Sequence, residues 1–200
     1  MMPNGMSEAR GTSVVHALSA PWVRQGAGVV MFAVLTVLGA YAQVRVPGLQ
    51  VPVTMQTLIV SLAGVLLGAR LGALSQAAYL LAGALGAPVF AGGMGGFVHL
   101  LGPTGGYLLA FPLAAAVTGW LTDSSIRSSE RTAGVRLALG IFLGTGVVFM
   151  GGAAQLTLLT GDAMHAVRLG VLPFLAGDVL KVIMATVIAR RWGGRLRRLF

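Results

Sequence analysis

The stretch GALGAPVFAGGMGGFVHLLGPTGGY, residues 83–107, holds nine glycines and two prolines and has no Asp, Glu, Lys or Arg. A solvated linker would carry Ser, Lys, Glu and Asp. This one carries Val, Phe, Met and Leu instead. An interior Gly costs a helix about 1 kcal/mol and an interior Pro about 3, so no single helix is expected through it. It is also too apolar to lie loosely in water. The composition predicts irregular backbone packed within a membrane domain. Such backbone is tolerated at membrane depth only where protein buries it or where it lines a cavity. Gly admits positive φ and lets a ligand come close to the main chain. A tight helix–helix turn would need only about four residues.

The rest of the chain agrees with a membrane setting. Of 200 residues, 56% are hydrophobic and 10% charged, and mean hydropathy is +0.86. Soluble domains run about 25% charged. The chain therefore reads as a polytopic membrane protein in the lipid bilayer. It has no cysteine, which excludes disulfides and thiolate metal sites. A formal charge of +9 suggests nucleic acid at first. The basic residues sit between and beyond apolar runs, however, as membrane topology requires. No basic face interleaves with aromatics, so no nucleic-acid partner is expected.

In chain order, residues 1–20 are small and polar, with Glu8 and Arg10. No apolar region follows a basic start, so no cleaved signal peptide is expected, only a frayed or interfacial N-terminus. Pro21, Trp22 and Arg24 look like an interface anchor. The first apolar run is Gly26–Ala42, long enough to cross the roughly 30 Å of hydrocarbon with some tilt. Ala33, Thr36 and Ala40 share one face of it, and small residues at such spacing let another helix approach. That face suits internal packing or a partner protein. Pro47 and Pro52 then stop any helix. Thr54 and Gln56 stand at the mouth of the next span. Met55–Leu67 and Leu71–Leu85 are shorter runs split by Arg70. After the Gly-rich stretch come Tyr107–Leu121, a polar loop, Val135–Leu159, a short loop TGDAMHAVRLG, and Val171–Ala189. The tail is RRWGGRLRRLF.

The expected fold is an all-α integral membrane protein. It has six transmembrane helices and the Gly-rich irregular segment between the third and fourth. Six crossings put both termini on one side. The ends and even-numbered loops carry Arg10, Arg24, Arg70, Arg127, Arg131, Arg136, Arg190, Arg191, Arg195, Arg197 and Arg198, against only Arg45 and Arg168 on the other side. That bias places both termini in the cytoplasm. The expected organisation is a cytoplasmic N-terminal segment over 1–23, a substrate-binding membrane domain over 24–192 and a basic cytoplasmic tail over 193–200.

Chemistry concentrates in PFLAGDVLKVIMA. Asp178 and Lys181, the only lysine, lie three residues apart in an apolar run and share a helical face. An ionisable residue in a span costs at least about 2.5–3.5 kcal/mol on insertion scales and is usually paired and functional. A structural ion pair is the bland alternative, but buried pairs add little stability by themselves. Asp accepts N–H donors and Lys donates to oxygen. Together they suit a urea-like or amide-like head, or Lys alone a carboxylate. The other candidate polar groups are Gln56, Gln76, Tyr79, Thr104, Tyr107 and Gln155. An apolar pocket with a few placed polar groups is what a small-molecule site requires.

Catalysis finds little support. His16, His99 and His165 are scattered, and His99 reads as an interfacial or packing residue. No His spacing suggests zinc. Residues 92–96 (GGMGG) lack the Lys-Ser/Thr ending and preceding strand of a phosphate loop. No catalytic residue, cofactor, metal or ATP site is expected.

VPVTMQTLIVSLAG (51–64), YLLAGALGAPVFAGGMGG (79–96), GPTGGYLLAF (102–111) and PFLAGDVLK (173–181) together resemble the BioY family. These are the biotin-binding S components of energy-coupling factor (ECF) vitamin transporters. The resemblance covers most of residues 30–190. It implies a six-helix protein of the cell membrane that takes biotin from outside. It also implies partners, namely a transmembrane coupling protein and two cytoplasmic ATPase subunits, although some members work without them. Asp178 and Lys181 match the family's ligand-contacting pair. Ala33, Thr36 and Ala40 fall where the family docks its coupling protein, and the Gly-rich segment forms part of the pocket and its cover.

From position, Gln56, Tyr79, Phe90, Gly93, Thr104 and Tyr107 are added to the ligand-binding set. Val89, Phe90 and the glycine backbone would meet the rings of biotin, and Arg45 or Arg168 its carboxylate. The alternatives are an S component for thiamine or riboflavin, a solitary gradient-driven carrier, an intramembrane enzyme and a scaffold. A cationic or stacking ligand would need more acidic or aromatic groups. An enzyme would need a nucleophile–base pair, and a scaffold leaves Asp178 and Lys181 unexplained.

Overall fold

The computed structural model describes residues 20–126, 128 and 132–200. Arg10 and most of the expected N-terminal segment lie outside these residues, as do Arg127 and Arg131. The described residues are mostly helical: α1 (Pro21–Tyr41), α2 (Gln56–Ala84), α3 (Phe97–Leu100), α4 (Gly105–Ile126), α5 (Ala133–Thr160), α6 (Ala163–Gly170) and α7 (Leu172–Leu196). A two-stranded antiparallel ribbon, β1 (Gln43–Val44) with β2 (Val53–Thr54), closes the loop after α1. The helix ends at Tyr41, ahead of Pro47 and Pro52. The pairing of Gln43 with Thr54 is a tertiary outcome. Among the described residues, five helices are long and apolar enough to cross a membrane.

The longest of them, α2, is not straight. Gly68 has φ 82° and ψ 176°, a conformation essentially reserved for glycine. The backbone reverses there, and the two arms lie side by side. The reversal explains why Gln56, at the start of α2, reaches Tyr79 near its end. The elbow fits against α4 because both surfaces lack side chains. A Cβ at Gly64 would lie 2.4 Å from the Ala115 carbonyl oxygen, and one at Gly119 the same distance from the Ala69 nitrogen.

α2 packs on α1 and α4, α4 packs on α5, and α7 lies across α2 and α5. One cluster of buried side chains includes Tyr79, Phe90, Tyr107, Phe111, Val148 and Phe174. Another includes Leu62, Val65, Leu137, Ile141 and Ala185. The outward faces are apolar too: Val34, Leu113, Phe142, Val179 and Ile183 are exposed. A helix apolar on all sides belongs in lipid or a core, so this surface is matched to hydrocarbon.

One expectation is corrected. The loop TGDAMHAVRLG contains the helix α6, capped by Asp162, whose carboxylate accepts from the Met164 and His165 amides. Those two bonds, His165 foremost, hold the Asp162 carboxyl below its ordinary value. At the other end of the bundle, α7 runs through residue 193 to Leu196, and Gly193 is buried. Beyond it, Arg197 pairs with Asp123 at 2.7 Å, and Arg24 donates to the carbonyls of Arg198 and Leu199. On the face Ala33, Thr36, Ala40, only Ala33 is partly exposed. Thr36 and Ala40 are fully buried. Thr36 donates to the Phe32 carbonyl and is bonded to Gln76, which also donates to Ser75. The small residues serve the close approach of α1 to α2.

Candidate ligand-binding site

A cavity opens at the end of the bundle opposite the elbow, between α2, α4, α5 and α7. Counting its open mouth, the space between its lining atoms is about 560 Å³. Its walls are apolar: Val51, Tyr107, Phe111, Val148, Phe149 and Phe174. Its polar groups are Thr54, Gln56, Thr57, His99, Thr104, Asp178 and Lys181.

Asp178 and Lys181 are 5% and 8% exposed, although both sit on α7, whose opposite face is open to lipid. The i, i+3 spacing turns both inward, where Lys181 Nζ lies 2.9 Å from Asp178 Oδ1. Thr57, from the first turn of α2, completes the cluster. Its hydroxyl donates to Asp178 Oδ1 at 2.6 Å and accepts from Lys181 Nζ at 3.1 Å. Each charge thus has a partner, as burial demands.

The segment 85–104 lies across one side of the cavity. Phe90 and Met94 form a bridge closed by turns, and α3 follows. It is tied down at several points. Tyr41 Oη donates to the Pro88 carbonyl, and the Gly96 amide donates to the Gly83 carbonyl. Gln155 on α5 donates to the carbonyls of Leu100 and Gly102 at 3.0 and 2.7 Å. His99 projects from α3, stacked on Phe90 with ring centroids 5.3 Å apart and with Nε2 3.2 Å from the Thr104 hydroxyl. Burial lowers the His99 pKa from its ordinary value of 6.5.

Of the expected site residues, Asp178, Lys181, Gln56, Thr104 and Tyr107 meet at the cavity. Tyr79, Phe90 and Gly93 do not line it. Tyr79 stands behind Gln56, which donates to it at 2.8 Å, and itself donates to the Val89 carbonyl at 3.3 Å. Phe90 is fully buried, packed edge-on against Tyr79 at 5.7 Å, and Ala91 faces the cavity in its place. Gly93 sits at φ 72° in the turn between Phe90 and Met94. Arg45 lines an adjoining recess that shares Pro52, Ala91, His99 and Thr104 with the cavity. Arg168 is exposed on α6 and lines neither. Gln76 is spent in the α1–α2 contact and Gln155 on the cover.

Thr57 and His99 were not expected to line a site. A hydroxyl beside Gln56 carries no sequence signal for facing inward, and a lone His among Gly and Phe reads as packing. The aromatic walls Phe111, Phe149 and Phe174 look like any other apolar residues of a span.

Comparison with known proteins places this architecture. Residues 7–198 match the BioY family. The chain belongs to that family. Among BioY relatives, it is 41% identical over 166 residues to a Pyrococcus horikoshii protein named "Probable biotin transporter BioY", covering 83% of this chain and 94% of the relative. It is 37% identical over 161 residues to the "Biotin transporter BioY" of Thermotoga maritima, covering 80% and 90%. A similar solved BioY-like structure is described as the S-component for biotin from an ECF-type ABC transporter. It has a TM-score of 0.77 and 27% identity, and covers 88% of this chain and 92% of the solved one. The sequence resemblance to BioY is thereby borne out.

Proposed function

We propose that this chain binds biotin from outside the cell and serves as the substrate-specific component of an ECF-type transporter in the cell membrane. The observation that carries this is the buried Asp178–Lys181 pair facing an otherwise apolar cavity. Biotin has a ureido head with two N–H donors and one acceptor oxygen, an apolar bicycle and a carboxylate tail. Asp178 accepts from a ureido N–H, and Lys181 donates to the ureido oxygen. Phe111, Phe149 and Phe174 enclose the bicycle, while Gln56, Thr104 and Tyr107 complete the wall. The tail points to the mouth, where Arg45 stands. Tyr79, Phe90 and Gly93 support the wall and cover from behind.

The topology that suits this function has six crossings, with the two arms of α2 counted separately at the Gly68 reversal. The Gly-rich segment between the third and fourth crossings covers the cavity. The arginine-rich elbow end faces the cytoplasm with both termini. The likeness to the solved S-component and to the named biotin transporters supports a partnership with a transmembrane coupling protein and two ATPase subunits. In that partnership the ATPase subunits supply the energy for uptake.

The test is calorimetry of biotin with the purified chain in detergent. Tight one-to-one binding without ATP is expected. Asp178→Asn and Lys181→Ala should each weaken it by ~2 kcal/mol or more, because each leaves a buried polar partner unpaired. Unchanged affinity in both variants sinks the site, and no binding by the native chain sinks the function.

A further inference from the structure

Threonines within the helices of this protein mostly use their hydroxyls locally. Thr122, Thr145, Thr157 and Thr186 each donate to the carbonyl four residues upstream. Such a bond serves only its own helix. Thr57 departs from that pattern. It stands in the first turn of α2, before any carbonyl four residues back has a helical position. Its hydroxyl is released to a helix that lies more than a hundred positions on in sequence, donating to Asp178 and accepting from Lys181.

The bonds can be counted atom by atom. A carboxylate oxygen offers about two acceptor sites and an ammonium three donors. Asp178 Oδ1 receives both the Thr57 hydroxyl and Lys181 Nζ, which fills it. Among the described residues nothing bonds to Oδ2. Lys181 spends two donors, on Oδ1 and on the Thr57 oxygen, and keeps one. The cluster therefore presents one free acceptor atom beside one free donor.

We infer that Thr57 is a positioning residue that locks Asp178 and Lys181 into one unit, leaving Oδ2 and a single ammonium N–H as the edge that reads the adjacent N–H and C=O of a cyclic urea. This rests on the function proposed above and extends it, by assigning which atoms face the ligand and what holds them. Without the hydroxyl, Lys181 has a single fixed partner and Asp178 can rotate about its carboxyl axis. The free edge is then no longer set before the ligand arrives. Specificity of this kind comes from groups left unpaired when a ligand lacks the matching donor.

The experiment is biotin calorimetry on the full-length chain in detergent, with a melting curve for every variant. Thr57→Val keeps the shape and removes the hydroxyl. It should weaken biotin roughly tenfold to a hundredfold, the range for a hydrogen bond to a charged group. Thr57→Ser should bind within about threefold of native by restoring that bond. Biotin methyl ester keeps the urea and should lose the same factor in Thr57→Val as biotin does. A biotin methylated on a urea nitrogen already misses the edge and should lose little more. Thr157→Val removes a hydroxyl of the local kind and should leave affinity unchanged.

If Thr57→Val is not recovered folded, Thr57→Ala takes its place and the same comparisons decide. Tight native binding with an indifferent Thr57→Val, or an equal loss for the methylated analogue, overturns the positioning role alone. A native chain that binds no biotin overturns the ligand assignment and this inference with it.

Discussion

Gln56 Nε2 donates to Tyr79 Oη at 2.8 Å, although 23 positions separate the two residues within one long helix. A straight helix would hold them roughly 35 Å apart at 1.5 Å per residue. The bond exists because the chain folds back at Gly68. The reversal places the polar mouth residue Gln56 and the core residue Tyr79 at the same level of the bundle, beside the cavity. It also sends the second arm of α2 back toward the Gly-rich cover.

Gly68→Ala should therefore destabilise the protein by about 2 kcal/mol or more, since a side chain is strained in that backbone conformation. The new Cβ would also lie 3.1 Å from an Arg197 guanidinium nitrogen. Gly146→Ala is the control: the position is helical with open space around it, and a change of less than about 1 kcal/mol is expected. Melting temperatures in the same detergent check both. Equal melting of the two variants would show that the elbow is not under conformational constraint.

Gly83 is the floor on which Phe90 rests. A Cβ there would fall 2.1 Å from the Phe90 ring. Gly83→Ala should push the ring and the cover outward, costing about 1–3 kcal/mol and weakening ligand binding. Phe90→Leu makes room, so the double variant Gly83→Ala/Phe90→Leu should recover part of the loss. Additive losses would show that the two positions do not communicate.

Tyr107 joins the cavity wall to the hinge between α6 and α7. Its hydroxyl donates to the Gly170 carbonyl at 2.6 Å in a buried setting. Tyr107→Phe leaves that carbonyl without its partner and should cost about 1–3 kcal/mol. Faster proteolysis between α6 and α7 is the expected accompanying change. An unaltered melting temperature would mean that water or a neighbour satisfies the carbonyl.

His99 gives the protein an acid sensitivity of defined sign. Burial lowers its pKa in the folded chain below the ordinary 6.5. As pH falls, the unfolded chain therefore takes up this proton first. The His99 contribution to stability is complete above the unfolded value and is lost as pH drops below it toward the folded value. His99→Gln should flatten the decline in melting temperature as pH falls below about 6.5. A slope that survives the substitution would assign the decline to other groups.

Much of this was legible before any coordinates. The Gly and Pro content of 85–104 foretold a break between long helices. Asp178 and Lys181 stood out because ionisable residues inside an apolar run are expensive. Three kinds of residue escaped. Thr57 was silent, because a hydroxyl reveals nothing about which helix it will meet. Phe90 reads from position as a ligand contact, but the gap left by Gly83 draws it away from the cavity. Thr36 and Ala40 suit either of two uses in sequence, and only the tertiary structure shows Thr36 bonded to Gln76 within the bundle.

By itself the sequence determined the solvent, the approximate runs that form helices, and the pair of charges around which a site could form. These follow from hydrophobicity and charge read along one dimension, since lipid and water sort segments by composition. Only the tertiary structure decided the reversal at Gly68, the order of packing, and which polar groups share a cavity. Those depend on which face of each helix meets which neighbour. Small differences in side-chain volume at residues such as Gly64, Gly83 and Gly119 settle that choice, and they act only once the helices touch.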